Sequence, residues 1–246
     1  IEKRSFMKYG VQMYAIRTLC KNDLEAGIKT AAEIGYDGLE FAGFFGHSAE
    51  EVSGWLEKYG VEAMGAHIPL EEICDNTDAT IAFHKAIGNR RIICPWSEIK
   101  TASDTKAVAQ KLSAALPKIK AAGMELYYHN HSHEFVKDDG KYLIDILAEE
   151  MPALKLEFDV YWIYRGGEDP MAYLKKYEGR TDIFHAKDGN MEEGTLAGEG
   201  NVDLKAICAY AKTQKFAWAV VESEATEDLE EQIEAIRKDY AYISSL

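Results

Sequence analysis

The stretch Ile119-Lys120-Ala121-Ala122-Gly123-Met124-Glu125-Leu126-Tyr127-Tyr128-His129-Asn130-His131 joins the end of a predicted helix to a predicted strand. Gly123 stands where a helix C-terminus favours the left-handed conformation, which glycine adopts without steric cost. The apolar and aromatic residues from Met124 to Tyr128 then indicate a short buried strand. This stretch therefore predicts a unit of helix, glycine and strand.

The same unit recurs along the chain, at Gly35, Gly60 and Gly88. Together with Gly123, these glycines are spaced by 25, 28 and 35 residues. Such spacing is the period of a βα unit. The repeat therefore predicts parallel strands connected by helices.

The flanking sequence supplies the remaining units. Further strands are predicted at residues 9–16, 153–159, 181–187 and 216–222, and further helices from about residue 22 and at residues 143–150, 169–176, 203–213 and 227–242. Eight strands alternating with eight helices in about 250 residues are typical of a closed (β/α)8 barrel. The predicted fold class is α/β, a (β/α)8 TIM barrel in a single domain over residues 1–246, with an open doubly wound sheet as the alternative.

Composition and charge exclude several classes of function. The 246 residues have a formal net charge of −14, and a field of that sign repels phosphate backbones, so no nucleic acid is expected as a partner. No apolar run is long enough to span a membrane, and residues 1–6 lack the apolar segment of a signal peptide. The four cysteines form neither a C-x-x-C pair nor a disulfide framework. A cytoplasmic protein is therefore expected.

Polar side chains collect at the carboxyl ends of the predicted strands, where a barrel of this kind has its active site. The alternate residues His129, His131 and His133 would face one side if their strand continued; solvated histidines at a polar strand end are the alternative. The other strand ends supply Glu40, His67, Trp96, Glu157, Asp159, His185, Lys187, Glu222 and Glu224. His47 and His84 fall on predicted helices instead, where surface positions are expected.

Imidazoles and carboxylates crowded at one barrel mouth repel or desolvate one another unless a cation compensates. Nitrogen and oxygen ligands of this kind fit one divalent metal ion, with Mn²⁺ foremost and Mg²⁺, Co²⁺, Zn²⁺ or Fe²⁺ as alternatives. Structural roles compete for single residues, because Asp159 could cap a helix and His185 could be a core histidine. Val160-Tyr161-Trp162 reads as extended, which favours Asp159 as a ligand.

The chain resembles the xylose isomerase-like TIM barrels, a group of sugar phosphate isomerases and epimerases that includes ketose 3-epimerases and inosose dehydratase. The resemblance covers nearly the whole chain. Its motifs are Gly38-Leu39-Glu40, Ala66-His67-Ile68-Pro69-Leu70, Tyr128-His129-Asn130-His131, Glu157-Phe158-Asp159-Val160-Tyr161-Trp162, Phe184-His185-Ala186-Lys187-Asp188 and Val221-Glu222. In that family strands five to eight hold one metal, which implies as ligands His129, Asp159, His185 and Glu222.

One departure from the family pattern concerns the reaction. The ketose epimerases have glutamates on strands five and eight, and the pair moves a proton on either face of the substrate carbon. Here His129 occupies the strand-five position, so the two-glutamate mechanism is not intact and lyase or dehydratase chemistry gains weight. Histidine is an equally good ligand, and His131 is the alternative to His129 in that role.

The resemblance implies a metal-dependent sugar isomerase or epimerase that abstracts a proton next to a carbonyl and forms an enediolate. Glu222 or His131 would remove the proton, and Lys187 would donate to an oxygen. The alternatives are a dehydratase or lyase on a keto-inositol or keto-glycoside and a non-catalytic sugar- or metal-binding barrel. An abasic-site endonuclease of the same fold is disfavoured by the charge of −14.

Contacts with the small sugar or polyol substrate are expected from Glu40, His67 and Trp96. Glu157 is interpreted either as part of the site or as a buried structural carboxylate paired with Lys155 or another cation. The glycine-rich loop at residues 194–203 lacks P-loop spacing and is interpreted as a mobile lid or a substrate-contact loop. A homodimer is one expected assembly.

Overall fold

The computed structural model describes residues 7–223 and 226–246, so residues 1–6, Glu224 and Ala225 lie outside the described part. Eight parallel strands close into a barrel in the spatial order β1-β8-β7-β6-β5-β4-β3-β2. They are β1 Lys8–Gln12, β2 Gly38–Phe41, β3 Glu62–His67, β4 Arg91–Cys94, β5 Glu125–His129, β6 Lys155–Asp159, β7 Ile183–His185 and β8 Trp218–Val221. The predicted closed (β/α)8 barrel is confirmed, and the alternative of an open sheet is wrong.

Helices surround the barrel. In the described residues they are α1 Arg17–Asn22, α2 Leu24–Ile34, α3 Ala49–Tyr59, α4 Leu70–Asp75, α5 Thr77–Ala86, α6 Ala102–Ala121, α7 Leu143–Glu150, α8 Val160–Arg165, α9 Pro170–Lys176, α10 Leu204–Thr213 and α11 Leu229–Ser245. Two-residue strands also form two small hairpins, Lys137–Asp138 with Lys141–Tyr142 and Asp188–Gly189 with Gly194–Thr195. No helix in this part of the chain is long and apolar enough to cross a membrane.

The glycines that defined the repeat all adopt positive φ angles. The values are 116° for Gly35, 69° for Gly60, 76° for Gly88 and 74° for Gly123. The N–H groups of Gly35 and Gly60 bond to carbonyls of the last turns of α2 and α3, which satisfies helix ends that would otherwise lack partners. The predicted units of helix, glycine and strand are thus confirmed.

The barrel interior has an apolar layer and a polar layer. Met64, Ile93, Tyr127, Ile183, Trp218 and Val220 form one buried cluster inside the barrel. The polar layer follows at the carboxyl ends of the strands, where the parallel register aligns His129 with Glu157 and Asp159 with His185. Strand pairing thus brings together residues that are far apart in the sequence.

Two predicted features need correction. Strand β1 ends at Gln12 rather than residue 16, because the Gln12 side chain accepts a hydrogen bond from the Tyr14 N–H and caps a 3-10 turn over Met13–Ile16. His84 was expected at the surface but is only 3% exposed. The Asn89 amide lies 2.9 Å from His84 Nδ1, so His84 is a hydrogen-bonded, buried side chain.

Candidate active site

The four side chains implied as metal ligands converge at the carboxyl end of the barrel. His129, Asp159 and His185 end β5, β6 and β7, and Glu222 directly follows β8. All four are buried, and each offers a ligand atom within 4.8 Å of those of the others. Four consecutive strands of the closed barrel therefore direct two imidazoles and two carboxylates to one point.

His185 lies between the ligand cluster and a carboxylate behind it. Its Nδ1 lies 3.2 Å from Glu222 Oε2 and 3.7 Å from Asp159 Oδ2, while its Nε2 lies 2.7 Å from Glu40 Oε2. A proton on Nε2 that is donated to Glu40 leaves Nδ1 to act as the ligand atom. Carboxylates behind metal-bound histidines fix the ring and its tautomer in this way.

The pKa of His185 reflects the negative charges that surround it. Burial opposes a charged imidazole, but Glu157 and Glu40 outweigh burial and raise the pKa of His185 well above its ordinary value. The cluster thus attracts a proton to the place where its carboxylates meet. A metal ion would be attracted to the same carboxylates, and metal binding releases the protons that its ligands carried.

Asp159 combines two roles that the sequence presented as alternatives. Its Oδ1 accepts a hydrogen bond of 2.9 Å from the Trp162 N–H and caps α8, so the expectation of an extended stretch after Asp159 is wrong. Its Oδ2 is buried and lacks a hydrogen-bond partner among the described residues. One oxygen therefore begins a helix, while the other is available to a ligand.

The orphaned atoms test whether the cluster fits a metal. His129 Nδ1 and Asp159 Oδ2 are both buried without a hydrogen-bond partner in the described part of the chain. Burial of unpartnered polar atoms costs free energy that coordination would recover. Because the set offers two nitrogens and two carboxylates, it fits a divalent ion such as Mn²⁺ or Zn²⁺.

A second polar cluster adjoins the first. His67 Nε2 lies 3.2 Å from both Glu40 Oε2 and Glu157 Oε2, and His129 Nδ1 lies 3.7 Å from Glu157 Oε2. Burial and the nearby Glu40 raise the pKa of Glu157 to about 7. The four side chains His67, His129, Glu157 and His185 form a further group with ligand atoms within 4.8 Å.

Of the two interpretations of Glu157, the one in which it pairs with Lys155 is not what the structure shows. Lys155 Nζ lies 2.6 Å from Glu125 and 3.5 Å from Asp182. The partners of Glu157 are histidines instead, with His67 nearest. Alternate residues of a strand face the same side, but Lys155 begins β6 and meets Glu125 at the start of β5, away from the carboxyl ends where Glu157 lies.

Two polar residues of this network were missed by the sequence reasoning. Gln12 Nε2 donates to Glu40 Oε2 at 2.8 Å. Glu134 accepts hydrogen bonds of 2.9 Å from the Tyr128 hydroxyl and from the His131 N–H, and it is fully buried. A polar residue at the end of β1 and the glutamate after the alternate histidines were the available signals.

The stretch after β5 bends instead of continuing as a strand. Strand β5 ends at His129, and His133 lies in a 3-10 turn, so the expected single face of three histidines is not formed. His131 still reaches the site, since its ring centroid lies 5.1 Å from that of His129. His131 Nδ1 is buried and has no hydrogen-bond partner among the described residues.

Lys187 lies just beyond β7 and is buried beside Glu222. Its Nζ is 3.6 Å from Glu222 Oε2 and 4.7 Å from the centroid of the Trp162 ring. Burial opposes ionisation of Glu222, but Lys187 and His185 outweigh it and lower the pKa of Glu222. Lys187 therefore keeps a carboxylate ionised at the cavity wall.

The glycine-rich loop is held firmly against the end of β7. The Asp188 carboxylate is buried and accepts hydrogen bonds of 2.8–3.1 Å from the N–H groups of Gly189, Gly198, Gly200 and Val202. A Cβ at Gly200 would lie 2.2 Å from Asp188 Oδ1, so only glycine fits there. The loop, for which a mobile lid or a substrate-contact loop was expected, is thus anchored next to Lys187.

A cavity of about 550 Å³ opens above the clusters. Its walls include His67, His129, His131 and Glu222, and Trp96 lies at its rim. Glu40 is fully buried, with Gln12, His67 and His185 around it. Substrate contacts through Glu40, His67 and Trp96 stay predictions, as do the catalytic and metal-binding roles.

The fold and the strand-end residues point to one family. The family described as xylose isomerase-like TIM barrel matches residues 28–239, and the chain belongs to it. Inosose dehydratase from Salmonella typhimurium is 24% identical over an alignment that covers 92% of this chain and 89% of that protein. The chain is thus a xylose isomerase-like TIM barrel that is similar over most of its length to an inosose dehydratase.

Solved structures share the fold. A sugar phosphate isomerase/epimerase from Parabacteroides distasonis superposes with a TM-score of 0.86 at 23% identity, covering 98% of this chain and 99% of that one. The IOLI protein with a bound zinc atom superposes with a TM-score of 0.76 at 17% identity, covering 97% and 99% of the two chains. Both likenesses agree with the barrel described above.

Proposed function

We propose that this chain is a metal-dependent sugar isomerase or epimerase that abstracts a proton next to the carbonyl of a sugar or keto-sugar. The observation that supports this most strongly is the convergence of His129, Asp159, His185 and Glu222 within 4.8 Å. They converge beside a cavity at the carboxyl end of the barrel, where enzymes with this fold have their active sites.

These four residues would hold one divalent ion, with Mn²⁺ foremost. When bound, such an ion acts as a Lewis acid toward the carbonyl oxygen and a neighbouring hydroxyl of the substrate. The orphaned Asp159 Oδ2 and His129 Nδ1 support this assignment. The zinc atom of the IOLI protein supports a divalent ion in a barrel of this fold.

Two residues of the cavity wall are candidates for the base. His131 presents Nδ1 without a protein partner in the described part of the chain, and Glu222 lines the same cavity. Either group would take the proton from the carbon next to the carbonyl, and its return to the neighbouring carbon or the opposite face would complete isomerisation or epimerisation. Lys187 would donate to a substrate oxygen from beside Glu222.

Dehydration or lyase cleavage is the second candidate. His129 replaces the strand-five glutamate of the epimerase pair, and inosose dehydratase resembles most of the chain. After removal of the α-proton, a β-oxygen would leave with a proton supplied by an acid. The C–O bond would break, a C=C bond conjugated to the carbonyl would form, and water or an alcohol would be released.

Proton exchange tests the shared first step. Protein loaded with Mn²⁺ is incubated in D₂O with fructose or a keto-inositol, and NMR follows the loss of the α-proton signal. We expect exchange that falls at least about 100-fold in Glu222→Gln or His131→Gln, in line with typical general-base contributions. His133→Gln, in the same motif, is the matched control and should retain exchange.

The products then separate the two candidates. A new epimer or isomer in the NMR spectrum supports the first, while an absorbing unsaturated ketone supports the second. Binding of these sugars without exchange in the metal-loaded protein would instead support the non-catalytic barrel, and would overturn the proposal.

A further inference from the structure

Exposed aromatic side chains are concentrated at the open end of the barrel. Among the described residues, five large apolar side chains are exposed, and the three aromatic ones all line cavities there: Tyr14 at 46%, Phe45 at 47% and Trp96 at 52%. Single exposed apolar residues are ordinary. A group of aromatic residues around one opening instead indicates a binding surface.

Tyr14 and Trp96 line the cavity that ends at the candidate ligands. Its volume of about 550 Å³ lies in the range of about 300–1,000 Å³ that holds drug-sized ligands, which exceed one sugar ring. Phe44, Ile68 and Pro95 add apolar wall. The cavity therefore has a polar inner part that suits one sugar ring and an apolar outer part with room for a second group.

The outer part is also poor in positive charge. Among the described residues that line the cavity there is neither lysine nor arginine, whereas Glu72 and Glu222 are present. Phosphate recognition relies on such cations in fixed geometry. Arg17, in the adjoining cavity, donates to Glu227 and to the carbonyls of Tyr14 and Thr226, so its guanidinium is already engaged.

An uncharged sugar ring matches these walls. The faces of a pyranose expose C–H groups that pack on aromatic rings, while its edges carry hydroxyls that need acceptors. The aromatic faces of Tyr14 and Trp96 offer surfaces for the C–H groups, and the Glu72 carboxylate offers an acceptor for the hydroxyls. In the outer part a phosphate group would meet the Glu72 carboxylate, and no lysine or arginine among the described residues lines the cavity to compensate the two negative charges.

We propose that the outer part of the cavity, between Tyr14 and Trp96, is a subsite for a second, uncharged sugar ring. The substrate would then be a keto-sugar with a glycosyl substituent rather than a free or phosphorylated monosaccharide. This inference rests on the proposed function for the position of the reacting ring and adds the substrate class.

Calorimetric titration of the Mn²⁺-loaded protein tests the subsite with four probes. Fructose is compared with isomaltulose and lactulose, which carry a second ring on different oxygens of fructose, and with fructose 6-phosphate. We expect at least one of the two disaccharides to bind about tenfold tighter than fructose, which is about 1.4 kcal/mol. Fructose 6-phosphate should bind no tighter than fructose.

Variants then test which residues cause the tighter binding of the disaccharide. Tyr14→Ala should abolish the preference for the disaccharide and leave fructose affinity unchanged. Trp96→Ala, at an expected substrate contact, should lower disaccharide affinity more than fructose affinity and so remove the preference as well. Phe45→Ala is the matched control, because Phe45 is equally exposed but lines only the adjoining cavity. It should keep the preference.

Several results would overturn the subsite. These are equal affinity for fructose and both disaccharides, tightest binding of fructose 6-phosphate, or loss of the preference in Phe45→Ala as well. Because binding is measured rather than turnover, a disaccharide preference without deuterium exchange would remove only the proposed function. Exchange with fructose and no disaccharide preference would remove only the subsite.

Discussion

The two layers inside the barrel differ in chemistry although the same strands build them. Tyr127, Ile183 and Val220 belong to the apolar layer. Two residues further along β5, β7 and just past β8 come His129, His185 and Glu222 of the polar layer. Since residues i and i+2 of a strand face the same side, one step along the barrel axis changes the interior from apolar to ionisable.

This difference separates stability from function. The apolar layer removes hydrocarbon from water and stabilises the barrel. The polar layer instead buries several carboxylates and imidazoles, which costs free energy unless protons, hydrogen bonds or a cation compensate. Substitutions in the apolar layer should therefore lower stability, whereas substitutions in the polar layer should lower metal affinity.

The largest effect is expected in the apolar layer. Ile93 is fully buried there, and Ile93→Ala should lower the free energy of unfolding by about 2–5 kcal/mol, because it removes buried methyl groups and leaves a cavity. Urea unfolding measures the loss, with Ile93→Val as the milder control at about 0.5–1.5 kcal/mol. A large loss of metal affinity in the folded variant would contradict the separation of the layers.

The complementary effect is expected at Asp159. Asp159→Asn should lower Mn²⁺ affinity by more than about 100-fold, since even residues behind metal ligands contribute about 10–100-fold. Asparagine retains an oxygen that can cap α8 at the Trp162 N–H. Thermal unfolding without metal should therefore show stability that is unchanged or higher, and calorimetry measures the affinity. Undiminished Mn²⁺ binding would remove Asp159 from the ligand set.

A smaller effect is expected behind the ligands. Glu40→Gln should lower Mn²⁺ affinity by about 10–100-fold, because the neutral amide polarises His185 less than a carboxylate does. Glu62→Gln on the exposed end of β3 is a matched control that should leave affinity unchanged. If both variants bind Mn²⁺ as tightly as the unaltered chain does, the 2.7 Å contact between Glu40 and His185 does not strengthen His185 as a metal ligand.

The sequence predicted the barrel and its polar strand ends better than the contacts between side chains. Positive φ at Gly35, Gly60, Gly88 and Gly123 is a local requirement, so the repeat and the closed barrel followed from it. The strand-end positions of His129 and His185 followed in turn. These features depend on periodicity and on residues close in the sequence.

Features that depend on residues far apart in the sequence were not predictable. Gln12 reaches Glu40 across two neighbouring strands, and the partner of Glu157 is His67 rather than the nearby Lys155. The two roles of Asp159 depend on a helix that begins directly after β6. A pattern along one strand contains no information about which side chain of another strand meets it.

The smallest effect concerns a buried carboxylate outside both layers. Asp239 accepts hydrogen bonds from the Ala197 N–H and the Ser223 hydroxyl, and burial raises its pKa to about 6. This lies above the unfolded value of about 3.9. The stability that protonated Asp239 contributes is therefore complete below about pH 4 and is lost as pH rises through about 6.

Asp239→Asn should accordingly be more stable than the unaltered chain at pH 7 by about 1–2 kcal/mol, because a shift of two pKa units corresponds to at most about 3 kcal/mol and residual solvation reduces it. The advantage should vanish near pH 4, and urea unfolding at both pH values measures it. Asp203→Asn, at the exposed N-cap of α10, is the control and should show no such trend. An advantage of Asp239→Asn that is equal at both pH values would show that altered packing, rather than the buried charge, is responsible. Glu222 is also buried, but its pKa is lowered beside Lys187. A pH-independent advantage of Asp239→Asn would therefore give no support to the idea that a cationic partner accounts for the difference between these two carboxylates.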